Sequence, residues 1–258
     1  MSVSETGTGQ GSVISPLLAN VYLHYAFDLW AERWRRREAT GNMVIVRYAD
    51  DIVVGFEREV DASRFRDAMR VRLEEFALTL HPDKTRLLEF GRFAAANRVR
   101  RGLGKPETFS FLGFTHICAT SSKGSFLLKR KSRRDRMRAR VRAVKAALRR
   151  CIHQPIPVQG RWLKQVVGGY AAYHAVPTNI QAVKAFRYYV TDLWRRALRR
   201  RSQKDGSTWA RVSKLAEAFL PKPRILHPWP EERFAVKHPR WEPSARVGLA
   251  RICAGGAQ

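Results

Sequence analysis

Apolar positions fall into two regimes along the chain. Up to about residue 128, helical stripes alternate with short β-branched runs; beyond it, apolar residues recur only at helical spacing. Leu17, Leu18, Val21, Tyr22 and Phe27 follow Ser15-Pro16. Serine as N-cap and proline at the first helical position predict a helix from there toward Arg37, broken at Thr40-Gly41-Asn42. Val44-Ile45-Val46 and Ile52-Val53-Val54 are β-branched runs on either side of Tyr48-Ala49-Asp50-Asp51. That arrangement predicts a hairpin with acids at its turn. Phe65, Met69, Leu73, Phe76 and Leu80 form one stripe of a helix running from about Asp61 to His81-Pro82-Asp83. Leu87-Leu88 begins another strand. Phe109 to Phe114 and Ser125 to Leu128 predict a further hairpin, turning at Ser122-Lys123-Gly124.

Beyond Lys129 the pattern predicts an arginine-rich helix to Arg150, ended before Pro155, and a second helix from about Val158 to His174. A third begins after Pro177, with Val183, Phe186, Val190, Leu193 and Ala197 on one face. It closes on Arg195, Arg196, Arg199, Arg200 and Arg201, more cations than a helix C-terminus calls for. Asp205-Gly206-Ser207 reads as a turn and N-cap into a fourth helix ending at Pro221. The tail shows no period. The expected layout is a polar segment over 1–6, a mixed domain over 7–128, a helical domain over 129–220 and a basic irregular tail over 221–258.

Charge sharpens this division. Residues 1–90 hold 12 basic and 14 acidic side chains, whereas residues 91–258 hold 37 and 8. A near-neutral front and a very basic back imply chemistry in front and polyanion binding behind, nucleic acid above all. No run of eighteen apolar residues suggests a membrane span. Cys118, Cys151 and Cys253 are widely separated, without disulfide or zinc spacing, as expected of a reducing cytoplasm. The four histidines at 153, 174, 227 and 238 show no metal spacing either.

Two adjacent carboxylates on a tight turn repel one another. A divalent cation between them relieves that repulsion; Mg²⁺ takes one or two carboxylates plus substrate phosphates, and two such ions can clamp a phosphoryl transfer. An acidic surface turn is the plain alternative. Context favours the chemistry: Val44 to Val54 with its Tyr48-Ala49-Asp50-Asp51 centre is similar to the active-site hairpin of reverse transcriptases. Gly9-Gln10-Gly11-Ser12-Val13-Ile14-Ser15-Pro16-Leu17-Leu18-Ala19-Asn20 resembles the block preceding that hairpin in bacterial group II intron proteins. His81-Pro82-Asp83-Lys84-Thr85 resembles the next block, and Phe111-Leu112-Gly113-Phe114 the one after. Gly169 to Pro177, Tyr188 to Arg201 and Thr208-Trp209 resemble the thumb/maturase region called domain X. Pro223 to Pro228 and Ile252 to Gly256 resemble the tail of members without an endonuclease domain.

The resemblance implies an α+β fold: a partial reverse-transcriptase palm of antiparallel hairpins and helices, then an α-helical thumb/maturase domain. It implies RNA-directed DNA polymerisation with Mg²⁺ and dNTPs, association with group II intron RNA and a DNA target or primer, and assistance to splicing and mobility. An RNP- or nucleoid-associated cytoplasmic location follows. Asp50 and Asp51 would bind metal, Tyr48 would lie under the primer end, and Gln10 and Gly11 would face the incoming nucleotide. Lys84 would meet its triphosphate, and Phe111, Leu112, Gly113 and Phe114 would form the primer grip. One departure stands out. The family uses a further aspartate from an earlier strand, yet only six residues precede Gly7 and none is Asp. The sequence therefore reads as a C-terminal share of such a protein, without fingers, unable to complete a two-metal site alone and with an open sheet edge. A non-catalytic RNA-binding maturase fragment, or an inert remnant, is the competing reading.

For the basic helices, Arg134, Arg138 and Arg142 on the first and Arg195 and Arg199 on the third are the expected RNA contacts. Tyr170, Tyr173 and Trp209 are candidates to stack on unpaired bases. Together with Tyr188, Tyr189 and Trp194 they form a set of six aromatics, most of which the reading assigns to the core of the bundle.

Overall fold

The computed structural model describes residues 14–201, 207–230, 232 and 248–254. In chain order, the first elements are α1 (Ser15–Leu23), a π-helical turn (His24–Asp28), α2 (Leu29–Arg37), β1 (Met43–Tyr48), β2 (Asp51–Phe56), α3 (Glu59–Glu74), β3 (Arg86–Gly91) and α4 (Ala94–Arg100). There follow β4 (Phe109–Phe111), β5 (Phe114–Thr120), β6 (Phe126–Ser132), α5 (Arg134–Arg150), α6 (Ile156–His174), α7 (Ile180–Arg199), α8 (Trp209–Phe219) and β7 (Gly248–Ala254). The chain divides into two compact units. One is built on residues up to Glu107 with 120–127 and β7; the other is built on Thr108–Ala119 and the chain from Leu128 through α8. No helix among the described residues is long and apolar enough to cross a membrane.

The first unit is a sheet in the order β1-β2-β7-β3, every neighbouring pair antiparallel. Alternation along the strands turns Met43, Ile52, Val54 and Phe56 to one face. That face packs on Phe27 of the π-helical turn, on Ala31 and Trp34 of α2 and on Ala62, Phe65, Met69 and Leu73 of α3. Phe65 sits at the centre, with ring centroids 5.0 Å from Trp34 and 5.3 Å from Phe56. The turn feeding β1 is pinned by Asp61. This carboxylate is 1% exposed and accepts from the Thr40 and Gly41 amides at 2.9 and 3.0 Å and from the Thr40 hydroxyl. A buried carboxylate is tolerated when backbone donors surround it in this way.

Several expectations are corrected here. Ser15 is the first residue of α1 and Ile14 its N-cap. The α3 stripe holds for Phe65, Met69 and Leu73, but the helix ends at Glu74. Ala77 takes a positive φ of 51°, and the Leu78 amide turns back to the Leu73 carbonyl, so Phe76 and Leu80 lie beyond the helix. The tail is not irregular throughout. Gly248–Ala254 forms β7, which pairs on one side with β2, Ile52 opposite Ala254, and on the other with β3, Arg86 opposite Cys253. A strand of this kind is specified by backbone pairing from residues distant in sequence, which periodicity does not register.

The second unit joins the sheet β4-β5-β6 to a bundle of α5 to α8. The predicted arginine-rich helix from Lys129 is in fact strand to Ser132 and helix only from Arg134. The fourth helix is capped by Thr208, whose hydroxyl accepts from the Arg211 amide, rather than by Ser207. The bundle closes on Val144, Leu148, Leu163, Val167, Phe186, Val190, Trp194, Val212 and Ala216. At its centre Gln159 is fully buried. Its carbonyl accepts from Trp194 Nε1 at 2.9 Å, and its amide donates to the Cys151 carbonyl at 2.6 Å. Next to it Gly160 leaves room for the Phe219 ring, which a Cβ there would meet at 2.6 Å. Gln159→Leu strands the buried Trp194 N–H, a loss of about 1–3 kcal/mol. Denaturant titration should show a lower midpoint at unchanged slope; an unchanged midpoint would mean that the bridge contributes nothing.

Candidate functional site

The hairpin β1–β2 pairs Met43 with Phe56 through to Tyr48 with Asp51, leaving Ala49 and Asp50 as a two-residue turn. Ala49 has φ 53°, a conformation that glycine ordinarily supplies in such a turn. The turn is held from below by Arg47. Its Nε and Nη2 donate to both oxygens of Asp28 at 2.7 Å, and its Nη1 donates to Asn20 Oδ1 at 2.8 Å and to the Ala49 carbonyl at 3.0 Å. Hydrogen bonding to Asp28 raises the Arg47 pKa further above its ordinary value, against the opposing effect of burial. A single guanidinium thus ties α1, the π-helical turn and the acidic tip together. Sequence reading gave none of Arg47, Asp28 and Asn20 a role, although two of them lie inside the quoted blocks; the only signal was a lone arginine in an apolar strand.

Tyr48 and Asp51 are cross-strand partners, so their side chains share the sheet face opposite the core. That face is open: Val44, Val46 and Tyr48 on β1 are all exposed, Tyr48 to 65%. Asp50 and Asp51 are exposed as well. Both β2 and β3 run antiparallel to β7, and Cys253 faces Val53 on one side and Arg86 on the other. The starts of β2 and β3 therefore lie at one end of the sheet. Lys84, two residues before β3, leaves it at the same end as the acids, with two strand spacings, roughly 10 Å, between the strand axes. Beside Lys84, His81 Nδ1 and Thr85 Oγ1 are buried without a hydrogen-bond partner among the described residues. Among those residues no group of three or more His, Cys, Asp or Glu is gathered for a metal ion, so the hairpin offers a pair of carboxylates. Two exposed hard-oxygen donors fit a Mg²⁺ ion that completes its shell with phosphate and water. Gln10 and Gly11 lie outside the described residues.

In the second unit the Phe111-Leu112-Gly113-Phe114 segment is itself a tight turn, not part of one long strand. Phe111 pairs with Phe114, and Leu112 and Gly113 both take positive φ, 47° and 75°. Tyr173 holds it: its hydroxyl donates to the Leu112 carbonyl at 2.8 Å, and its ring stacks on Phe114 at 5.6 Å. The structure thus brings together two predicted sets, the turn and one of the stacking candidates. The end of the Gly169–Pro177 block leads into a latch. Asn179 Oδ1 accepts from the Ser132 amide at 3.0 Å, and its Nδ2 donates to the His174 carbonyl at 2.7 Å.

His174 lies among Phe114, Tyr170 and Tyr173, its Nδ1 donating to the Tyr170 carbonyl at 3.1 Å. Burial holds its pKa below the ordinary value, the backbone hydrogen bond partly opposing. The folded state therefore binds its proton less readily than the unfolded chain. The neutral form's contribution to stability is complete above the unfolded value of about 6.5 and declines as pH falls below it. The melting temperature should fall between about pH 7 and about pH 5, and less steeply in His174→Gln. Equal slopes in the two proteins would rule this group out.

The basic surface is organised by helix geometry. At about 100° per residue, Arg134, Arg138, Arg142, Lys145 and Arg149 fall on one stripe of α5, beside the buried line of Val144 and Leu148. All five cations are exposed and make no ion pair among the described residues. Lys145 and Arg149 line a small cavity with Arg196 of α7 and Arg200 at its C-cap, over a floor that includes Leu148 and Leu193. Asp192 lies nearby but pairs with Arg195 and Arg196. Lys145, Arg149 and Arg200 were not among the expected contacts. Of the predicted contacts, Arg199 is exposed, whereas Arg195 is largely buried, its guanidinium 5.4 Å from the Trp209 ring.

The aromatics reverse the expected balance. Only Tyr170 and Trp194 are core residues; Tyr173, Tyr188, Tyr189 and Trp209 are exposed. Tyr170, expected to stack on bases, is 7% exposed and itself stacked between His174 and Phe186, so it is corrected to a structural role.

The chain thus combines an acid-tipped antiparallel hairpin on an open sheet face with a second unit whose helices carry an exposed cationic stripe. Residues 2–116 match the family of reverse transcriptases (RNA-dependent DNA polymerases). This segment includes the hairpin, Lys84 and the Phe111–Phe114 turn, while α5 to α8 lie outside it. No curated protein matches the chain.

Proposed function

We propose that this chain works as a reverse-transcriptase-type protein of the bacterial group II intron kind. In this reading the first unit carries the polymerase hairpin and the second holds intron RNA and the primer–template. The observation that carries the reading is the Asp50–Asp51 turn, at the edge of an open sheet face, within the segment that matches the reverse transcriptase family. Asp50 and Asp51 would hold Mg²⁺, which when bound would supply charge neutralisation at the transferring phosphoryl group. Tyr48 supports the primer end. Lys84, with Gln10 and Gly11, meets the incoming nucleotide, its ammonium offsetting charge on the leaving pyrophosphate. The Phe111–Phe114 turn, fixed by Tyr173, grips the primer. Arg134, Arg138, Arg142 and Arg199 contact RNA phosphates.

A second reading, an RNA-binding maturase without polymerase activity, is supported by the exposed cationic stripe on α5, which lies outside the segment that matches the reverse transcriptase family. Primer extension on an RNA template with Mg²⁺ separates the two. Incorporation of dNTPs that Asp50→Ala abolishes establishes the polymerase. RNA binding with no Asp50-dependent incorporation establishes the second reading. The intron assignment is tested by competition between a structured group II intron and an equal mass of unrelated folded RNA. Equal competition would leave only nonspecific charge.

A further inference from the structure

On the side of α7 facing away from α5, a concavity of about 220 Å³ lies against α8. Lys184, Arg187, Tyr188 and Thr191 of α7, Trp209, Ser213, Ala216 and Glu217 of α8, and Pro223 line it. At about 100° per residue, Lys184, Arg187, Tyr188 and Thr191 point opposite to Leu193, Arg196, Ala197 and Arg200, which line the cationic groove. One helix therefore presents two separate surfaces. The groove is cationic over an apolar floor. The concavity is walled by aromatic rings and has few free cations.

We propose that this concavity is a receptor for a single unpaired nucleobase of a single-stranded RNA or DNA segment. The inference rests on the reading of this unit as nucleic-acid-binding and adds the chemical group that it recognises. Three features carry it. First, large rings stand open where a bundle would be expected to bury them: Tyr188 is 57% and Trp209 41% exposed, in contact at a centroid distance of 5.5 Å. Such a pair forms a stacking platform, on which bases gain affinity irrespective of sequence. Arg195 lies 5.4 Å from the Trp209 centroid and holds that ring in place.

Second, the concavity also holds hydrogen-bonding groups suited to a base edge. Arg187 donates through Nη2 to the Ala216 carbonyl at 3.0 Å and to Glu217 Oε1 at 2.9 Å, while its Nε is buried without a hydrogen-bond partner among the described residues. The Glu217 carboxylate remains more than half exposed, an acceptor for an exocyclic amine, and the Ser213 hydroxyl can donate or accept. Third, size and charge select the occupant. The volume is below the range of ordinary small-molecule pockets, about 300–1,000 Å³, and suits one planar ring system. Exposed Lys184 on the rim would take the phosphate of the same nucleotide. A paired base cannot enter, because its edge and both faces are occupied within the duplex.

The test uses the full chain and fluorescence anisotropy with three probes: a labelled single-stranded RNA, a duplex of the same sequence, and a single strand with abasic sites. Tyr188→Ala should weaken binding of the single strand roughly 5- to 150-fold. Duplex affinity and the salt dependence should be unchanged, and Tyr188→Phe should restore binding. The abasic strand should bind the unaltered protein as weakly as the intact strand binds Tyr188→Ala. Equal losses for single strand and duplex, or no loss with Tyr188→Ala, would overturn the receptor. Circular dichroism of Tyr188→Ala reports whether the fold is intact; a fold loss transfers the test to the abasic strand, where undiminished binding to the unaltered protein overturns the proposal. Charge reversal on α5 addresses the phosphate surface separately. If it has no effect while Tyr188→Ala does, the phosphate assignment fails and the receptor stands.

Discussion

Replacing Arg134, Arg138 and Arg142 together by glutamate should lower RNA affinity roughly 10²–10³-fold at low salt and flatten its salt dependence by about two to three units of log–log slope. The reason lies in where these side chains stand. They share one stripe of α5 with Lys145 and Arg149, exposed and without ion pairs among the described residues, so each is free to displace a counterion from a phosphate. A protein making about 6–10 such contacts loses ~10³–10⁵ in affinity between about 50 and 200 mM salt, and removing three of them must reduce that slope. The fold should survive, because the α5 residues that pack the bundle are Val144 and Leu148 with Met137 and Val141 beside them. Isothermal binding across a salt series is the measurement. An unchanged slope would place the RNA elsewhere on the chain. Asp50→Ala should leave both affinity and slope as they were, since Asp50 belongs to the other unit and is assigned to metal.

What the sequence discloses about this molecule follows the range of the forces involved. The β1–β2 hairpin was legible because two β-branched runs flank a short segment with a two-residue turn at its centre, and the signal for such a hairpin is local. The bundle positions Val183, Phe186 and Val190 were legible because a stripe is a property of one helix. The same stripe separates two large aromatics of α7: Trp194 follows Val190 by four residues and precedes Ala197 by three and is fully buried, whereas Tyr188 lies off the stripe and is more than half exposed. What the stripe did not disclose is the partner of each, Gln159 of α6 for Trp194 and the concavity along α8 for Tyr188. Strand β7 and the start of α5 were missed for related reasons. The pairing of β7 depends on residues some 160–200 positions away, and Lys129 to Ser132 were read as helix because they precede an arginine-rich run.

The candidate site was legible as a motif and opaque as a device. Tyr48, Asp50, Asp51 and Lys84 could be named from their blocks, and the register places the acids and Lys84 at one end of the sheet. That Arg47 holds the turn through Asp28, Asn20 and the Ala49 carbonyl could not be read, because those four positions meet only in three dimensions. Ala49 at φ 53° is a strained choice for a turn, and a strained residue held by a neighbouring hydrogen bond is a common feature of sites under functional constraint.

Metal-directed cleavage tests the central claim most directly, because it locates the ion whether or not the chain polymerises. Fe²⁺ bound in place of Mg²⁺ generates hydroxyl radicals that cut the polypeptide near the ion. With Fe²⁺ and ascorbate, in the presence of primer–template and a dNTP, cuts should cluster at the Tyr48–Ile52 tip, with a weaker set near Lys84 at the same end of the sheet. Excess Mg²⁺ should suppress both, and Asp50→Asn with Asp51→Asn should abolish them while RNA binding persists. Cuts that avoid the hairpin, or that remain in the doubly substituted protein, would contradict the assignment of Asp50 and Asp51 as the metal-binding pair.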